Sequence, residues 1–314
     1  MSKGNLEQRI ERLRALADQP VTEDALAILR KALTDRSGLI VAEAAKAVGV
    51  HRVHSLTPDL TTAFERMLQK GATTDPKCWG KKAIVDALKD MDHEESYTFL
   101  HGLRHVQMEP VWGGQEDSAT SLRGACALAL LQCADLSRET KFRHLVDAMG
   151  DPVDRVRVDV LRGIAQMEGD DGALLLRMKA RSGDPMPHVI GHALELVIGL
   201  EGAFGVTFVT DFLASGDEEI LEEAALALGT SRRPEAFAVL QRAWAKDHIG
   251  LRAEVLLRAI SASGLPEAID FLMNLIEEGI TYEADAAVKA LGLYSGSGEI
   301  QERIRQARER RSVR

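Results

Sequence analysis

At 314 residues and a formal net charge of -9, the chain is too acidic for a general nucleic-acid binder, which needs clustered lysine and arginine to neutralise phosphate. Alanine and leucine dominate an apolar fraction of 45%, aromatics are only 4%, and β-branched runs bounded by turn residues are scarce, so the composition predicts an all-α protein. No uncharged apolar stretch approaches the roughly 18 residues of a membrane span, and the three cysteines lack metal-type spacing, which together predict a cytoplasmic protein with no membrane association.

The opening stretch MSKGNLEQRIERLRAL carries charges at helical spacing and lacks the apolar core and cleavage site of a secretory signal, so residues 1–20 read as a capping helix. A repeat follows: an apolar residue, two variable positions, a run of small apolar residues, then Ala-Leu-Gly or its equivalent. Eight copies occur: IVAEAAKAVG from Ile40, GKKAIVDALK from Gly80, LRGACALALL from Leu122, VRVDVLRGIA from Val156, VIGHALELVI from Val189, ILEEAALALG from Ile220, RAEVLLRAIS from Arg252 and EADAAVKALG from Glu283. Their starts lie 40, 42, 34, 33, 31, 32 and 31 residues apart, the spacing of stacked helical hairpins. Between them run helices with larger apolar residues and more charge, such as LTPDLTTAFERMLQ and PEAFAVLQRAWAKD, with Pro234 and Pro266 at helix starts where a missing N–H costs nothing. Small residues in one helix of each pair allow close approach, and Phe, Leu and Met in the other fill the space between layers.

This alternation resembles the HEAT-like repeats of phycobilisome-lyase-type and other bacterial HEAT proteins, carried most clearly by VRVDVLRGIAQMEGDDGALLL and LRAEVLLRAISASGLPEAIDFL and spanning about residues 20 to 300. The resemblance implies a single domain over 1–314: a right-handed α-solenoid of about eight hairpins over 21–298, closed by a basic C-terminal helix over 299–314. Such repeats serve binding proteins, adaptors and a few enzymes alike, so the resemblance defines architecture rather than function.

The first two spacings are longer, and each extra length falls beside unusual residues: KGATTDPKCWGKK from Lys70 and QMEPVWGGQED from Gln107. Loops at one end of adjacent hairpins come together, so Trp79 and Trp112 are expected to be neighbours. Gly113 and Gly114 permit positive φ, and Glu116, Asp117 or Ser118 can cap the next helix. Trp112 either folds back over a widened gap between repeats or forms part of a binding surface. Along the inner ridge, the second and third positions of each small-residue helix are expected to face a concave groove. They are Val41 and Ala42, Lys81 and Lys82, Arg123 and Gly124, Arg157 and Val158, then Ile190 and Gly191, Leu221 and Glu222, Ala253 and Glu254, Ala284 and Asp285. With Lys77, Arg155 and Arg162 on one side and Glu195, Glu223 and Glu283 on the other, this ridge would be basic in its first half and acidic in its second, orienting a partner of both signs. An arginine at the second position also serves stacking when it bonds a preceding acid, as Asp151 or Asp154 would for Arg157.

Catalytic and metal motifs are sparse. His101 and His105 are four apart and could share a helix face as metal ligands, but no third ligand is near in sequence; His51 and His54 give a weaker signal still. Cys126 and Cys133, about 10 Å apart on one helix, read as core thiols. No phosphate loop or GxSxG elbow is present. Within the resembled family, deoxyhypusine hydroxylases carry several His-Glu pairs where this chain has only His93-Glu94, and the groove tryptophans, carboxylate and basic charge of alkylpurine DNA glycosylases are only loosely echoed. The reading is a scaffold or adaptor, leaning away from enzyme and needing no cofactor, that binds a protein or peptide with an acidic or phosphorylated segment through Lys77, Trp79, Lys81, Lys82, Trp112, Asp117, Arg123 and Arg157. The alternative is a HEAT-like enzyme or bilin-handling accessory factor centred on Trp79 and Trp112.

Overall fold

All eight small-residue segments fold as α-helices, and what decides their packing is the size of the atoms between them. The computed structural model describes residues 3–167 and 169–313. They fall into two compact units, Met1–Met167 and Glu168–Arg314. The first contains α1 (Lys3–Ala17), α2 (Glu23–Leu33), α3 (Gly38–Val50), α4 (Thr57–Lys70), α5 (Trp79–Asp90), α6 (Tyr97–Leu103), a hairpin of β1 (Met108–Val111) and β2 (Gly114–Asp117), α7 (Thr120–Ala129), α8 (Arg138–Ala148) and α9 (Asp154–Gln166). The second contains α10 (Asp171–Ser182), α11 (Pro187–Glu201), α12 (Ala203–Thr210), α13 (Glu218–Thr230), α14 (Pro234–Lys246), α15 (Leu251–Ala262), α16 (Pro266–Glu278), α17 (Thr281–Ala290) and α18 (Gly298–Val313). This is an all-α repeat fold, in which α3, α5, α7 and α9, and then α11, α13, α15 and α17, are the small-residue inner helices.

Within each unit the inner helices approach until their backbones touch. A Cβ on Gly49 would fall 2.9 Å from the Ala87 Cα, and one on Gly229 only 2.2 Å from the Ala259 carbonyl oxygen. Ile40, Val41, Ala44, Ala45 and Val48 of α3 are fully buried, as are Phe64 of α4 and Phe99 of α6, which supply the bulk the inner helices lack. Pro234 and Pro266 begin α14 and α16 as expected, and Pro187 does the same for α11. At the end of the second unit, α18 buries Ile304 and Ala307 and directs Arg303 and Arg310 to Asp270 and Glu277 of α16. Among the described residues no helix is long and apolar enough to cross a membrane.

Two expectations need correction. The first concerns the insert, read as a loop: it is an antiparallel two-stranded ladder, pairing Met108 with Asp117 through Val111 with Gly114. Gly113 alone takes positive φ, +91°, in the two-residue turn. The second concerns the ridge. Every second position is buried, including Lys81, Arg123 and Arg157, because the start of each inner helix lies under the loop entering it. Of the third positions only Lys82, Glu222, Glu254 and Asp285 reach the surface. Their charges are mostly compensated: Lys82 by Asp86 at 2.6 Å, Glu222 by Arg258 at 2.7 Å, Glu254 by Lys289. Lys81, Arg123 and Arg157 are therefore lost from the basic half of the expected groove, while Lys77, Lys82, Arg155 and Arg162 stay at the surface.

Because backbone contact at Gly229 leaves no space for a methyl group, Gly229→Ala should cost about 1–3 kcal/mol through forced separation of α13 and α15. Gly199, in the exposed part of α11, is the control, since a methyl group there would meet nothing within 4 Å. There Ala should stabilise by about 0.5–1 kcal/mol through helix propensity. Urea unfolding of both variants measures the difference.

Candidate functional site

The site grows from one buried carboxylate. Asp75, wholly buried, accepts hydrogen bonds from the Gly80 and Lys81 main-chain N–H groups at 2.7 and 3.1 Å, tying the first turn of α5 to the preceding loop. Lys81 is equally buried; its Nζ lies 3.1 Å from Asp75 Oδ2 and donates to Gln107 Oε1 at 2.9 Å. Gln107 in turn donates to the Asp75 carbonyl at 2.8 Å and to Glu109 Oε1 at 2.7 Å. Glu109 also accepts from the Ser118 hydroxyl and from the Lys77 main-chain N–H. Lys81 is thus the cation of a closed network joining α5 to the base of the hairpin. A charge so enclosed is stable only because Asp75 and Gln107, which face its ammonium, are themselves hydrogen-bonded.

A second anchor holds the other strand. Arg123 of α7 donates to both oxygens of Asp151, at 2.6 and 3.1 Å, to Asp117 Oδ2 at 2.6 Å and to the His105 carbonyl at 2.9 Å. Asp117 Oδ1 accepts from the main-chain N–H groups of Gln107 and Ala119, both at 3.0 Å, so it fastens the hairpin base and the start of α7 together. Burial alone would raise the Asp117 pKa, but these bonds and the guanidinium outweigh it and hold it below 3.8. Glu109 is likewise held below 4.5 by its hydrogen bonds against the opposing desolvation. Arg157 donates to the Asp151 carbonyl at 2.8 Å, the main chain of one of its two expected acids.

What the anchors present is aromatic. Trp112, at the hairpin tip, is completely exposed, and Trp79, the first residue of α5, is 45% exposed with the Lys77 ammonium 5.6 Å from its ring centre. Lys77 and Cys78 both take left-handed backbone angles, φ 57° and 53°, immediately before Trp79. Two consecutive non-glycine residues in that region cost on the order of 1–3 kcal/mol each, a strain the Asp75 hydrogen bonds sustain. Of the eight expected residues, Lys77, Trp79, Lys82 and Trp112 are accessible, while Lys81, Asp117, Arg123 and Arg157 support them. Sequence reasoning gave no role to Gln107 or Glu109 and took Ser118 only as a possible helix cap; only the run of polar residues beside both tryptophans hinted at the network that Asp75 centres.

The nucleophile and metal readings gain little. Burial pushes the Cys78 thiol up to about 11 and Cys133 to about 12, and raises Cys126 as well. The His101 Nδ1 sits 2.9 Å from the Tyr97 carbonyl on the surface, whereas the His105 Nε2 is buried without a hydrogen-bond partner among the described residues. Among the described residues no group of three or more His, Cys, Asp or Glu is placed to hold a metal ion.

Comparison with known proteins finds a family match over part of the chain. Residues 206–301 match the family described as HEAT repeats, so the HEAT-like reading of the sequence stands. Among solved structures, human deoxyhypusine hydroxylase is similar at 18% identity, covering 83% of this chain and 98% of its own, with a TM-score of 0.31. The complex of CpcE and CpcF of phycocyanin lyase from Nostoc is similar at 16% identity, covering 94% and 95%, with a TM-score of 0.33. No curated protein matches the chain in sequence.

Two outcomes follow from the network. Lys81→Met leaves the Asp75 carboxylate buried without its cation and should lower stability by about 3–5 kcal/mol, whereas Lys82→Met, at a solvated pair, should change it by less than about 1 kcal/mol; chemical denaturation compares them. The second outcome concerns acid. His105 is held below its ordinary 6.5 by burial and then by the Lys81 charge, so the folded state resists a proton that the unfolded chain accepts. That contribution is present above pH 6.5 and shrinks as pH falls below it. The melting temperature of His105→Asn should therefore decline less between pH 7 and 5 than that of the wild type.

Proposed function

We propose that this protein is a non-catalytic protein-binding scaffold and that the tryptophan edge is its recognition element. The observation that carries the reading is the fully exposed Trp112 side chain on a hairpin fastened at β2 by the buried Arg123–Asp117 ion pair and at β1 by the hydrogen bonds of Glu109 to Gln107 and Lys77. A tryptophan has only two side-chain torsions to order on binding, and it dominates interface energetics when a partner pocket encloses it. Leaving it in water in the free protein is the opposite of what packing alone would select.

Val111 and Met108, both about half exposed, extend the apolar surface along β1, and Trp79 adds a second ring. With Lys81, Arg123 and Arg157 committed internally, the positive charge that the eight expected residues offer an acidic or phosphorylated partner segment reduces to Lys77 and to Lys82, which is paired with Asp86. Contact is therefore built on aromatic area, and Lys77 supplies charge beside it. The alternation of inner and outer helices from α2 to α17 supports one repeat domain over residues 1–314, with α1 and α18 as its caps.

Trp112→Ala removes the tip without touching either anchor, so its melting temperature should match the wild type. A partner recovered with the wild-type protein and then purified should bind the variant at least about 30-fold more weakly by calorimetry, the loss expected of an interface hot spot. Equal affinity for both proteins rules out the edge as the recognition element.

A further inference from the structure

A second surface lies wholly within Glu168–Arg314. Between α13, α15 and α17 is an open cavity of about 360 Å³ whose floor is Val255, Ala259, Ala262 and Ala290. Its lips are Leu226 and Leu293, 47% and 66% exposed although both are aliphatic. Leu226 also borders a neighbouring cavity of about 260 Å³ between α11 and α13, lined by Glu195 and Glu223 with His188 and His192 and by no lysine or arginine. The two hollows therefore share a wall and differ in chemistry.

The second hollow has the character of a cation receptor. The Glu223 carboxylate lies directly on Gly191, where a Cβ would fall 1.9 Å from Oε2, so only glycine lets it occupy that position. Glu223 receives no hydrogen bond among the described residues, and Glu195 has only the His192 ring at 3.5 Å. Burial raises the Glu223 carboxyl above its ordinary 4.5, outweighing the pull of His188 and His192 beside it. Across the whole face, Glu195, Glu222, Glu223, Glu254 and Asp285 confront just two cations, Arg258 and Lys289, each already spent on a neighbouring acid. The surface is acidic around an apolar floor, and its complement is an apolar ligand with basic flanks.

The floor also dictates the ligand's backbone. Inner helices satisfy their own N–H and C=O groups, so they offer an extended chain no main-chain partners. A ligand lying on them must satisfy its backbone internally, as a helix does. Adjacent packed helices lie about 8–10 Å apart, which matches about seven residues along a ligand helix at 1.5 Å each.

We propose that this face docks an amphipathic helix that sets an aliphatic side chain between Leu226 and Leu293 and a lysine or arginine, about two turns away on the same face, against Glu195 and Glu223. The proposal shares with the scaffold reading only the idea that the protein binds others; it does not depend on the tryptophan edge.

The probe is a set of synthetic helical peptides of about 15 residues on an alanine–glutamine background. One carries leucine and lysine seven apart, one replaces the lysine by glutamate, and one moves the lysine two positions, onto another face. Fluorescence anisotropy with the full-length protein should show saturable, salt-weakened binding of the first peptide and at least about tenfold weaker binding of the other two. Leu226→Asp and Glu223→Gln should each weaken the first peptide by about tenfold, and Trp112→Ala should leave it unchanged. Because Leu226 is half exposed, its variant should keep the wild-type melting temperature; if it does not, Glu223→Gln alone decides. Equal binding of the three peptides, absence of saturation, or indifference to both groove substitutions overturns the proposal. A defect confined to Trp112→Ala would relocate peptide binding to the tryptophan edge and overturn it as well.

Discussion

Backbone contact between inner helices is the constraint on which the rest of this structure depends. Where Gly229 meets Ala259 and Gly49 meets Ala87, no side chain stands between adjacent helices. Apolar area buried per residue is small at such contacts, so stability has to come from many of them and from the bulky outer helices pressed against each pair. This explains the division of texture along the chain. It also explains why aromatics are few: an inner helix has no space for them, and an outer helix needs only one or two, such as Phe64 or Phe99.

The same closeness governs polar residues. Loops entering the inner helices are squeezed against the next repeat, so a first-turn charge directed at such a loop, as in α5, α7 and α9, is enclosed rather than solvated. Lys81, Arg123 and Arg157 survive there because each meets an acid or carbonyl supplied from another segment. Asp75 lies six residues before Lys81 and Gln107 twenty-six residues after it, and Asp151 twenty-eight residues after Arg123. A buried ion pair of this kind specifies arrangement more than it adds stability, since its desolvation offsets much of the attraction. Here the arrangement specified is the hairpin, which has no packed core of its own.

Much of the fold was legible in the sequence, because periodicity and small-residue runs are local signals: all eight inner helices lie where their repeats predict, and Pro234 and Pro266 begin helices. The hairpin was not legible. Its strands, MEPV and GQED, are four residues each, with a proline in one and two acids in the other, and neither alternates apolar with polar residues. Only the Gly113 turn and the tertiary bonds of Gln107, Glu109 and Asp117 hold it as a ladder. Lys81 and Lys82 show the other limit. They are adjacent and chemically identical, yet one is wholly buried and the other half-solvated, because a rotation of about 100° per residue separates their directions on the helix. The sequence placed both on a helix but could not say which lay under the loop.

Side-chain direction also divides the roles of charge in the two units. In the first, cations near the tryptophans are consumed in fixing the hairpin, and among its inner helices the exposed pairs Lys82–Asp86 and Arg162–Asp159 lie within single helices. In the second, exposed bases lean back to acids of the preceding inner helix, Arg258 to Glu222 and Lys289 to Glu254, forming a ladder across repeats. Solvated pairs of this type contribute little to stability, about 0–1 kcal/mol each. Their effect is on surface charge: each pair neutralises a position along the inner helices, and Glu195, Glu223 and Asp285 stand outside the ladder with no lysine or arginine paired to them among the described residues.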